Sequence, residues 1–476
     1  MAGQIHFILN DRTVCTSQPI GVPVLDYLRS LARLTGTKEG CREGGCGACT
    51  LLLGELQGEK LLYKPVLSCL LALGEIAGKH LVTIEGLNQE KLSPIQQALV
   101  DWGATQCGFC TPGIVMSLTG YLLATETDMD AEGIKTALHN NLCRCTGYAA
   151  IKRASSALVK SLGKGEIRNL ETSIAKGIIP QYFRNIPSRL RQLPRSLFES
   201  DKGSPEFVMA GGTDLYVQQG DILAESALRL LNRSPQMAGI TTQGNFIHIG
   251  ALTTFADFAN HPAIIKLIPR IQAYIQRIAS WSIRQRATIG GNMITASPIG
   301  DVSVLLLALN VDLVLEDGEN ARTVPLRDFF RGYKEIAKKP SEILTEIVIA
   351  IPPSGTQFNF EKVCKRHYLD CAAVNSAIAL KCHGDAIGEI SLSMGGVAPI
   401  PLFLRQTSHY FLGKRITQAV ILGAFPILQA EISPLSDVYG SASYKRLLAR
   451  QLLIAHFTKL FRGFRLSRTQ DEDEGD

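Results

Sequence analysis

Cys41-Arg42-Glu43-Gly44-Gly45-Cys46-Gly47-Ala48-Cys49 places three cysteines as C-x4-C-x2-C, and a fourth, Cys69, follows after nineteen residues. Four thiolates in this order meet the plant-type spacing of a 2Fe–2S cluster, where they converge on two irons. The glycines have a physical reason to be there. A loop wrapped round a cluster needs close backbone approach, and positive φ is cheap only for glycine. Backbone N–H groups can then point at the sulfurs and tune them. Zinc sites pair C-x2-C knuckles, which this order fits poorly.

Nine of the twelve cysteines precede residue 150; beside Cys15 and the first set these are Cys107, Cys110, Cys143 and Cys145, spaced C-x2-C-x32-C-x1-C. Cys143 and Cys145 face the same way only on a non-helical backbone. Helices expected to start near Pro112 and near Thr146 would aim positive dipole ends at these thiolates, which favours an anionic cluster. Taken alone, this second set leaves zinc open. Beside the first set it reads as a second 2Fe–2S site. Clusters pass single electrons, so two in one chain imply a relay. Cys15, Cys364, Cys371 and Cys382 show no ligand spacing and read as core or surface residues.

The 476 residues have room for about three domains. A chain 46% hydrophobic and 19% charged is ordinary for a soluble globular protein. The net charge of +6 is not gathered into a stripe with interleaved aromatics, which argues against nucleic-acid binding. The arginines from Arg184 to Arg195 are interrupted by Pro187 and Pro194 and read as a solvated linker. Met1 to Asn10 has no basic region or long apolar core, so it is not a signal peptide. No run of 18 apolar residues occurs, so no membrane span is expected. Thiolates at this density suit a reducing compartment, with the cytoplasm as the default. Asp471 to Asp476 reads as a solubilising acidic tail.

Along the chain, Ile5, Phe7 and Leu9 alternate, Asn10-Asp11 offers a turn before Val14, and Pro23 can open a helix through Leu25, Leu28, Leu31 and Leu34. Strand-like runs follow near Leu51–Leu53 and Val82–Ile84. Residues 93 to about 162 read as four helices. Ser93-Pro94 caps the first, the second runs from Pro112 or Gly113 past Tyr121, the third covers about Ala131 to Asn140, and the fourth runs from near Thr146 through Leu158. Residues 163 to about 195 have no clear period. From Phe207 to about Ile351 the pattern is α/β. From about Phe358 to Leu466 strands mix with a helical end around Ser443 to Leu460.

There is no G-x-G-x-x-G after a strand and no P-loop, so a Rossmann dinucleotide site is not indicated. Two other glycine turns stand out. The apolar Phe207-Val208-Met209-Ala210 leads into Gly211-Gly212-Thr213-Asp214, and Ala287-Thr288-Ile289-Gly290-Gly291-Asn292 follows the basic Arg284-Gln285-Arg286. Such turns can cradle a pyrophosphate through exposed N–H groups, although a Gly-Gly turn is more often structural. Asp301 could accept from a ribose or adenine group, or serve as a cap.

Gln106-Cys107-Gly108-Phe109-Cys110-Thr111-Pro112-Gly113 and Asn141-Leu142-Cys143-Arg144-Cys145-Thr146-Gly147-Tyr148 resemble stretches of the molybdenum hydroxylases. So do the first cysteine loop with Glu43 and Thr50, and Thr288 to Asn292 with Thr295, Ser297-Pro298 and Asp301. The resemblance covers nearly the whole chain. Within the family, the order cluster, cluster, FAD in one polypeptide is similar to the small subunit of bacterial xanthine dehydrogenases. Phe329-Phe330-Arg331-Gly332-Tyr333-Lys334 resembles a segment typical of those enzymes. Carbon monoxide dehydrogenases usually place clusters and flavin on separate chains.

The resemblance implies an α+β multidomain fold. Its expected parts are a ferredoxin-like β-grasp 2Fe–2S domain at 1–88, a helical second 2Fe–2S domain at 89–162 and a linker at 163–195. An FAD-binding domain of the vanillyl-alcohol-oxidase type at 196–355, a C-terminal α/β cap at 356–466 and an acidic tail at 467–476 complete it. It implies that Gln106 touches the pterin of a molybdenum cofactor carried by a partner. It implies that Val208, Gly211, Gly212, Thr213, Asp214, Leu215, Thr288, Gly291, Asn292, Thr295, Asp301, Leu344 and Lys362 line FAD. Lys362, Arg366 and Asp370 fall at the family's Lys…Arg…Asp positions. One departure is His367-Tyr368-Leu369, where xanthine dehydrogenases often carry acidic residues.

The activity so implied is that of a relay. A molybdopterin-binding large subunit hydroxylates hypoxanthine and xanthine to urate. Electrons then pass through the second-set cluster, the first-set cluster and FAD to NAD⁺, in a heterotetramer. The molybdenum-binding domain would begin where this chain ends, so purine hydroxylation belongs to the complex. Other readings remain open: the same role beside an aldehyde- or N-heterocycle-oxidising subunit, a non-enzymatic redox carrier or sensor, and a zinc-stabilised interaction module.

Overall fold

The computed structural model describes residues 4–124, 130–162, 169–194, 205–231, 234–318, 320–461 and 464. The acidic tail and the last residues of the expected C-terminal domain lie outside the described residues, as do 163–168 and 195–204. The chain divides into two compact units. The first is Met1–Pro235 with Thr254–Ala256 and Ala279–Ala287; the second is Gln236–Thr253 with Asp257–Ile278 and Thr288–Asp476.

In the first unit the alternating N-terminus forms β1 (Ile5–Leu9), which turns at Asn10 into β2 (Arg12–Thr16). With β3 (Thr50–Gln57), β4 (Lys60–Leu67) and β5 (His80–Val82) these make a five-stranded sheet in the order β2-β1-β5-β3-β4. Only β1 and β5 run parallel. This is the mixed sheet of a β-grasp, as expected. Ile5, Phe7, Leu51 and Leu28 share its apolar core.

The helix after Pro23 is shorter than the leucine spacing predicts. An α-helical turn, Val24–Asp26, passes into a π-helical turn, Tyr27–Leu31, and Arg33 then takes a φ of 57°. That left-handed residue ends the helix before Leu34. Leu25 and Leu28 are buried while Leu31 is exposed, so the wider π turn carries the third leucine off the core face.

The helical part agrees more closely. Ser93 caps the helix Pro94–Asp101 in a reciprocal box: its side chain accepts from Gln96 N (3.3 Å), and Gln96 Oε1 accepts from Ser93 N (2.9 Å). The next helices are Thr111–Ala124, Ala131–Ala137 and Ala149–Ser161. The last starts three residues later than read, because Tyr148 sits at φ 67°.

Within the stretch read as a linker, residues 170–191 form the helix Leu170–Ala175, a 3-10 turn at Gln181–Asn185 and the helix Ile186–Arg191. Ile8 explains why. It points to the face of β1 opposite Ile5 and Phe7, and Ile186 and Leu190 bury it. Covering that apolar face orders a segment with no period of its own. Its arginines are not free: Arg184, Arg189 and Arg191 pair with Glu171, Asp11 and Glu59. Beyond it, β6 (Phe207–Met209) and β7 (Leu228–Leu230) pair in parallel through the helix Leu215–Leu223. Tyr216, Leu223 and Leu230 share a core with Leu25, Cys69 and Leu70.

The second unit holds two antiparallel sheets. One is β11-β10-β14-β9-β8, built from β8 (Ile240–Gln243), β9 (Phe246–Gly250), β10 (Asp312–Asp317), β11 (Asn320–Pro325) and β14 (Ile343–Ala350). A hairpin of β12 (Phe330–Gly332) and β13 (Glu335–Ile336) lies between the last two in sequence. The other sheet runs β15 (Gln357–Val363), β16 (Val374–His383), β17 (Ala386–Gly395), β18 (Leu402–Phe403). The helix Ala442–Leu460 packs Leu453 and Phe457 into the core of that sheet. The helix Asp301–Ala308 is buried along its whole length, and its last turns, Val304 to Ala308, are apolar all round as such burial requires. Among the described residues no helix is long and apolar enough to cross a membrane.

Candidate functional site

The first cysteine set gathers into two pairs. Cys49 Sγ and Cys69 Sγ lie 3.3 Å apart and buried, and Cys41 and Cys46 share a thiol hydrogen bond. Gly44 and Gly47 take φ of 74° and 66°, which turns the loop back on itself. Thr50 Oγ1 donates to Gly47 O (2.7 Å) and Ser68 Oγ to Cys49 O (2.9 Å), fastening the loop to β3 and to the segment that carries Cys69. The Cys46 thiol beside it, helped by the amides of Glu43, Gly45 and Cys46, pulls Cys41 down to about 5. Sharing that proton pushes Cys46 up. Cys69 likewise lowers Cys49 and is itself raised.

The second set makes two further pairs. Cys145 Sγ lies 3.6 Å from Cys107 Sγ, and Cys110 hydrogen-bonds Cys143. The helix Thr111–Ala124 begins directly after Cys110. At the other end the expected helix start is replaced by side chains: Thr146 Oγ1 is 3.1 Å from Cys143 Sγ, and Tyr148 Oη accepts from Cys143 N (3.1 Å). Burial and the bond to Cys143 push Cys110 up to about 12. Burial opposes a charge on Cys143, but hydrogen bonds from Thr146 and Cys110 outweigh it and leave its pKa lowered.

Two thiolates for each of two irons is the donor set of a 2Fe–2S cluster, and both sets supply it. Among the described residues no three His, Cys, Asp or Glu side chains converge to hold a single metal ion. Of the remaining cysteines, Cys15 and Cys371 are exposed and Cys364 and Cys382 half-buried.

The two loops touch. Leu142 N donates to Cys46 O (3.0 Å), and Asn141 Nδ2 donates to Gly47 O (3.1 Å). Gly113 belongs to the same contact, since a Cβ there would fall 2.2 Å from Gly47 O. Both sets have a buried pair, Cys49 with Cys69 and Cys110 with Cys143, but the second set is the outer one in its other pair: Cys107 and Cys145 are exposed, with exposed Gln106 beside them, while Cys41 and Cys46 are half-buried.

The expected flavin residues fall on both units. In the first, Gly211 packs on the backbone of Arg286, so that an added Cβ would lie 2.1 Å from Arg286 O. The Gly211 turn therefore meets the basic stretch Arg284-Gln285-Arg286. Val208 and Asp214 are exposed; Gly211, Gly212, Thr213 and Leu215 are half-buried. Arg286 Nη2 donates to Gly211 O (2.7 Å) and pairs with Glu75 (2.7 Å), both side chains being nearly buried. Arg284 is also buried, which lowers its pKa to about 10.

In the second unit Thr288 caps the helix Ile289–Thr295, its hydroxyl accepting from Gly291 N (3.0 Å). Asn292 Oδ1 accepts from Ser303, through N (3.0 Å) and Oγ (2.9 Å), and Thr295 O accepts from Lys334 Nζ (2.8 Å). Asp301 is buried and held at both oxygens, by Lys362 Nζ (2.7 Å) and Asn375 Nδ2 (2.6 Å). Leu344 is buried, and Arg366 pairs with Asp370 (2.6 Å). Two buried donors, Arg286 Nε in the first unit and Arg277 Nε in the second, have no acceptor in the described protein. Their chemistry fits an anionic cofactor such as FAD. Glu75, Asn375 and the Asn141-Leu142 contact were not singled out in the sequence. Only Glu75 left a signal, a carboxylate inside the apolar run Leu70–Ile76.

Four families match in succession. The 2Fe-2S iron-sulfur cluster binding domain covers residues 7–73, the [2Fe-2S] binding domain 83–156, the FAD binding domain in molybdopterin dehydrogenase 186–353, and the CO dehydrogenase flavoprotein C-terminal domain 360–460. The chain is 28% identical to the xanthine dehydrogenase of Emericella nidulans over 94% of its own length. It is 26% identical to aldehyde oxidase 1 of Bos taurus over 92%. It spans 38% of the length of each of these relatives. Among solved structures, a chain of the carbon monoxide dehydrogenase of Hydrogenophaga pseudoflava superposes with a TM-score of 0.50 at 29% identity, over 52% of this chain and 86% of that one. The chain carries two 2Fe–2S-binding domains and an FAD-binding domain, and it belongs to the molybdenum hydroxylase family of oxidoreductases, as its iron–sulfur and FAD part.

Proposed function

We propose that the chain is the electron-transfer part of a xanthine dehydrogenase. It would take electrons from a molybdopterin-binding subunit that converts hypoxanthine and xanthine to urate, and deliver them to NAD⁺, in a cytoplasmic heterotetramer. In this reading Cys107, Cys110, Cys143 and Cys145 hold the outer cluster and Cys41, Cys46, Cys49 and Cys69 the inner one. Gln106 faces the partner's pterin. Val208, the turn from Gly211 to Leu215, Thr288, Gly291, Asn292, Thr295, Asp301, Leu344 and Lys362 hold FAD. The proposed domain limits are those given by the sequence, with 170–191 folded onto the first domain.

When bound, the clusters carry single electrons and FAD gathers two of them for a hydride acceptor. The residues of this chain supply position and environment. Paired thiolates fix each cluster, Thr146 and the loop amides stabilise negative charge on the sulfurs, and the Asp301–Lys362–Asn375 group sets a rigid wall in the second unit.

The observation that carries the relay is the hydrogen bond from Leu142 N to Cys46 O (3.0 Å), which joins the loop of the set that has exposed cysteines, Cys107 and Cys145, to the loop of the set that has none. It supports an order from outer to inner. The purine substrate rests on the xanthine dehydrogenase relatives and on the Phe329–Lys334 segment, where Lys334 ties the hairpin to Thr295.

The test is the visible spectrum of the natively purified protein with its partner, mixed anaerobically with xanthine. Bleaching of both flavin and iron–sulfur bands is expected. Bleaching by an aldehyde or another N-heterocycle, with xanthine inert, would transfer the substrate to another member of the family. Absence of flavin would leave a carrier or sensor.

A further inference from the structure

We propose that Arg286 is a positioning residue for electron transfer: its guanidinium locks the segment that follows Cys69 to the Gly211 turn, and so sets the separation between the inner cluster and the flavin. This inference rests on the assignment of Cys69 to the inner cluster and of the Gly211 turn to FAD.

The geometry is specific. Arg286 Nη2 reaches Gly211 O at 2.7 Å and Leu70 O at 3.4 Å. Leu70 is the neighbour of Cys69 in the chain. Glu75 Oε2 accepts from the same Nη2 (2.7 Å) and from Ala72 N (3.1 Å), so the carboxylate is itself tied to the segment after Cys69. Arg286 and Glu75 side chains are 10% and 4% exposed. The backbone adds a second clamp, since Gly211 abuts Arg286 O closely enough to exclude a Cβ. All five residues belong to the first compact unit.

A purely structural ion pair does not need this arrangement. A buried pair is often no more stabilising than apolar residues of the same volume, and its best-attested use is to specify one geometry. Here the groups specified are the loop of a cluster ligand and the turn of a flavin site. All three acceptors meet one nitrogen, Nη2, whose direction the planar guanidinium fixes, whereas an ammonium would sit on a shorter, flexible stem. The transfer it serves is of one electron at a time, from the reduced cluster to the flavin, with no bond made or broken at Arg286.

The test uses the full holoprotein with Arg286→Lys, Arg286→Met and Glu75→Gln. Iron, sulfide and FAD contents and the electron paramagnetic resonance signals of both clusters are measured first. Flash photoreduction then follows re-equilibration between the iron–sulfur and flavin bands. The expected result is retained cofactors and unaltered cluster signals in Arg286→Lys, with cluster-to-flavin transfer slowed severalfold. A greater loss is expected in Arg286→Met. Should Arg286→Met fail to fold, the comparison rests on Arg286→Lys and Glu75→Gln. Wild-type transfer rates in variants that keep both cofactors would overturn the proposal. Lack of clusters or flavin in the wild type, or lack of any transfer between them there, would instead overturn the relay on which it rests.

Discussion

Lys362 Nζ lies 2.7 Å from Asp301 Oδ2, with both side chains buried and with Asn375 closing the remaining carboxylate oxygen at 2.6 Å. Strand β15 supplies the lysine, strand β16 the asparagine, and the first turn of a buried helix the aspartate. Three elements of the second unit are thus held at one point. Lys362→Met leaves a buried carboxylate with only an amide for company. A loss of about 3–5 kcal/mol is expected for breaking such a pair from one side, read as a lower urea midpoint. A midpoint close to the wild type would mean that water reaches Asp301.

His456 makes the second unit acid-labile. Asn359 Nδ2 donates to His456 Nδ1 (2.8 Å), so the ring carries its proton on Nε2, which donates to Ser376 Oγ (2.9 Å). Burial lowers its pKa to about 4, with Glu361 opposing and Lys459 adding to the shift. The folded state thus binds a proton less readily than the unfolded chain, whose histidine titrates near 6.5. The stabilisation is complete above about pH 6.5 and is lost as the pH falls toward 4, by roughly 3 kcal/mol in all. Urea midpoints at pH 7.5 and 5 measure this. In His456→Gln the drop between the two pH values should shrink by most of that amount; an unchanged drop would assign the acid lability elsewhere.

Gly211→Ala places a methyl group 2.1 Å from Arg286 O, a backbone atom that has little freedom to withdraw. Overpacking of this kind costs about 1–3 kcal/mol. The turn should shift and the purified protein should contain less FAD, with iron content unchanged. Full FAD occupancy in this variant would place the flavin away from the Gly211 turn.

Cys145→Ala removes an exposed ligand of the outer set while leaving the buried pair Cys49–Cys69 untouched. Iron and sulfide should fall to about half, since each cluster takes a full set of four thiolates. Purine-dependent flavin reduction should stop, whereas NADH-dependent flavin reduction should survive, because that path does not use the outer cluster. Normal purine-dependent reduction in this variant would disprove the order of the relay.

Spacing and pattern alone determined a good deal about this chain. The eight cysteines, the alternation of Ile5, Phe7 and Leu9, the Ser93-Pro94 cap and the two glycine turns are local signals, and each was legible because neighbours in sequence carry it. Tertiary structure decided the rest. Residues 170–191 are helical because Ile8 has a second face to cover, which no period within that stretch encodes. The helix after Pro23 stops early at a left-handed Arg33 that leucine spacing does not reveal. Most of all, the contacts on which the proposed route from outer cluster to inner cluster to flavin turn rests are those of Leu142 with Cys46, and of Leu70 and Gly211 with Arg286. Those partners lie tens to hundreds of residues apart and meet through backbone carbonyls, which every residue possesses. A sequence therefore lists the donors of the site, and only packing shows which of them touch.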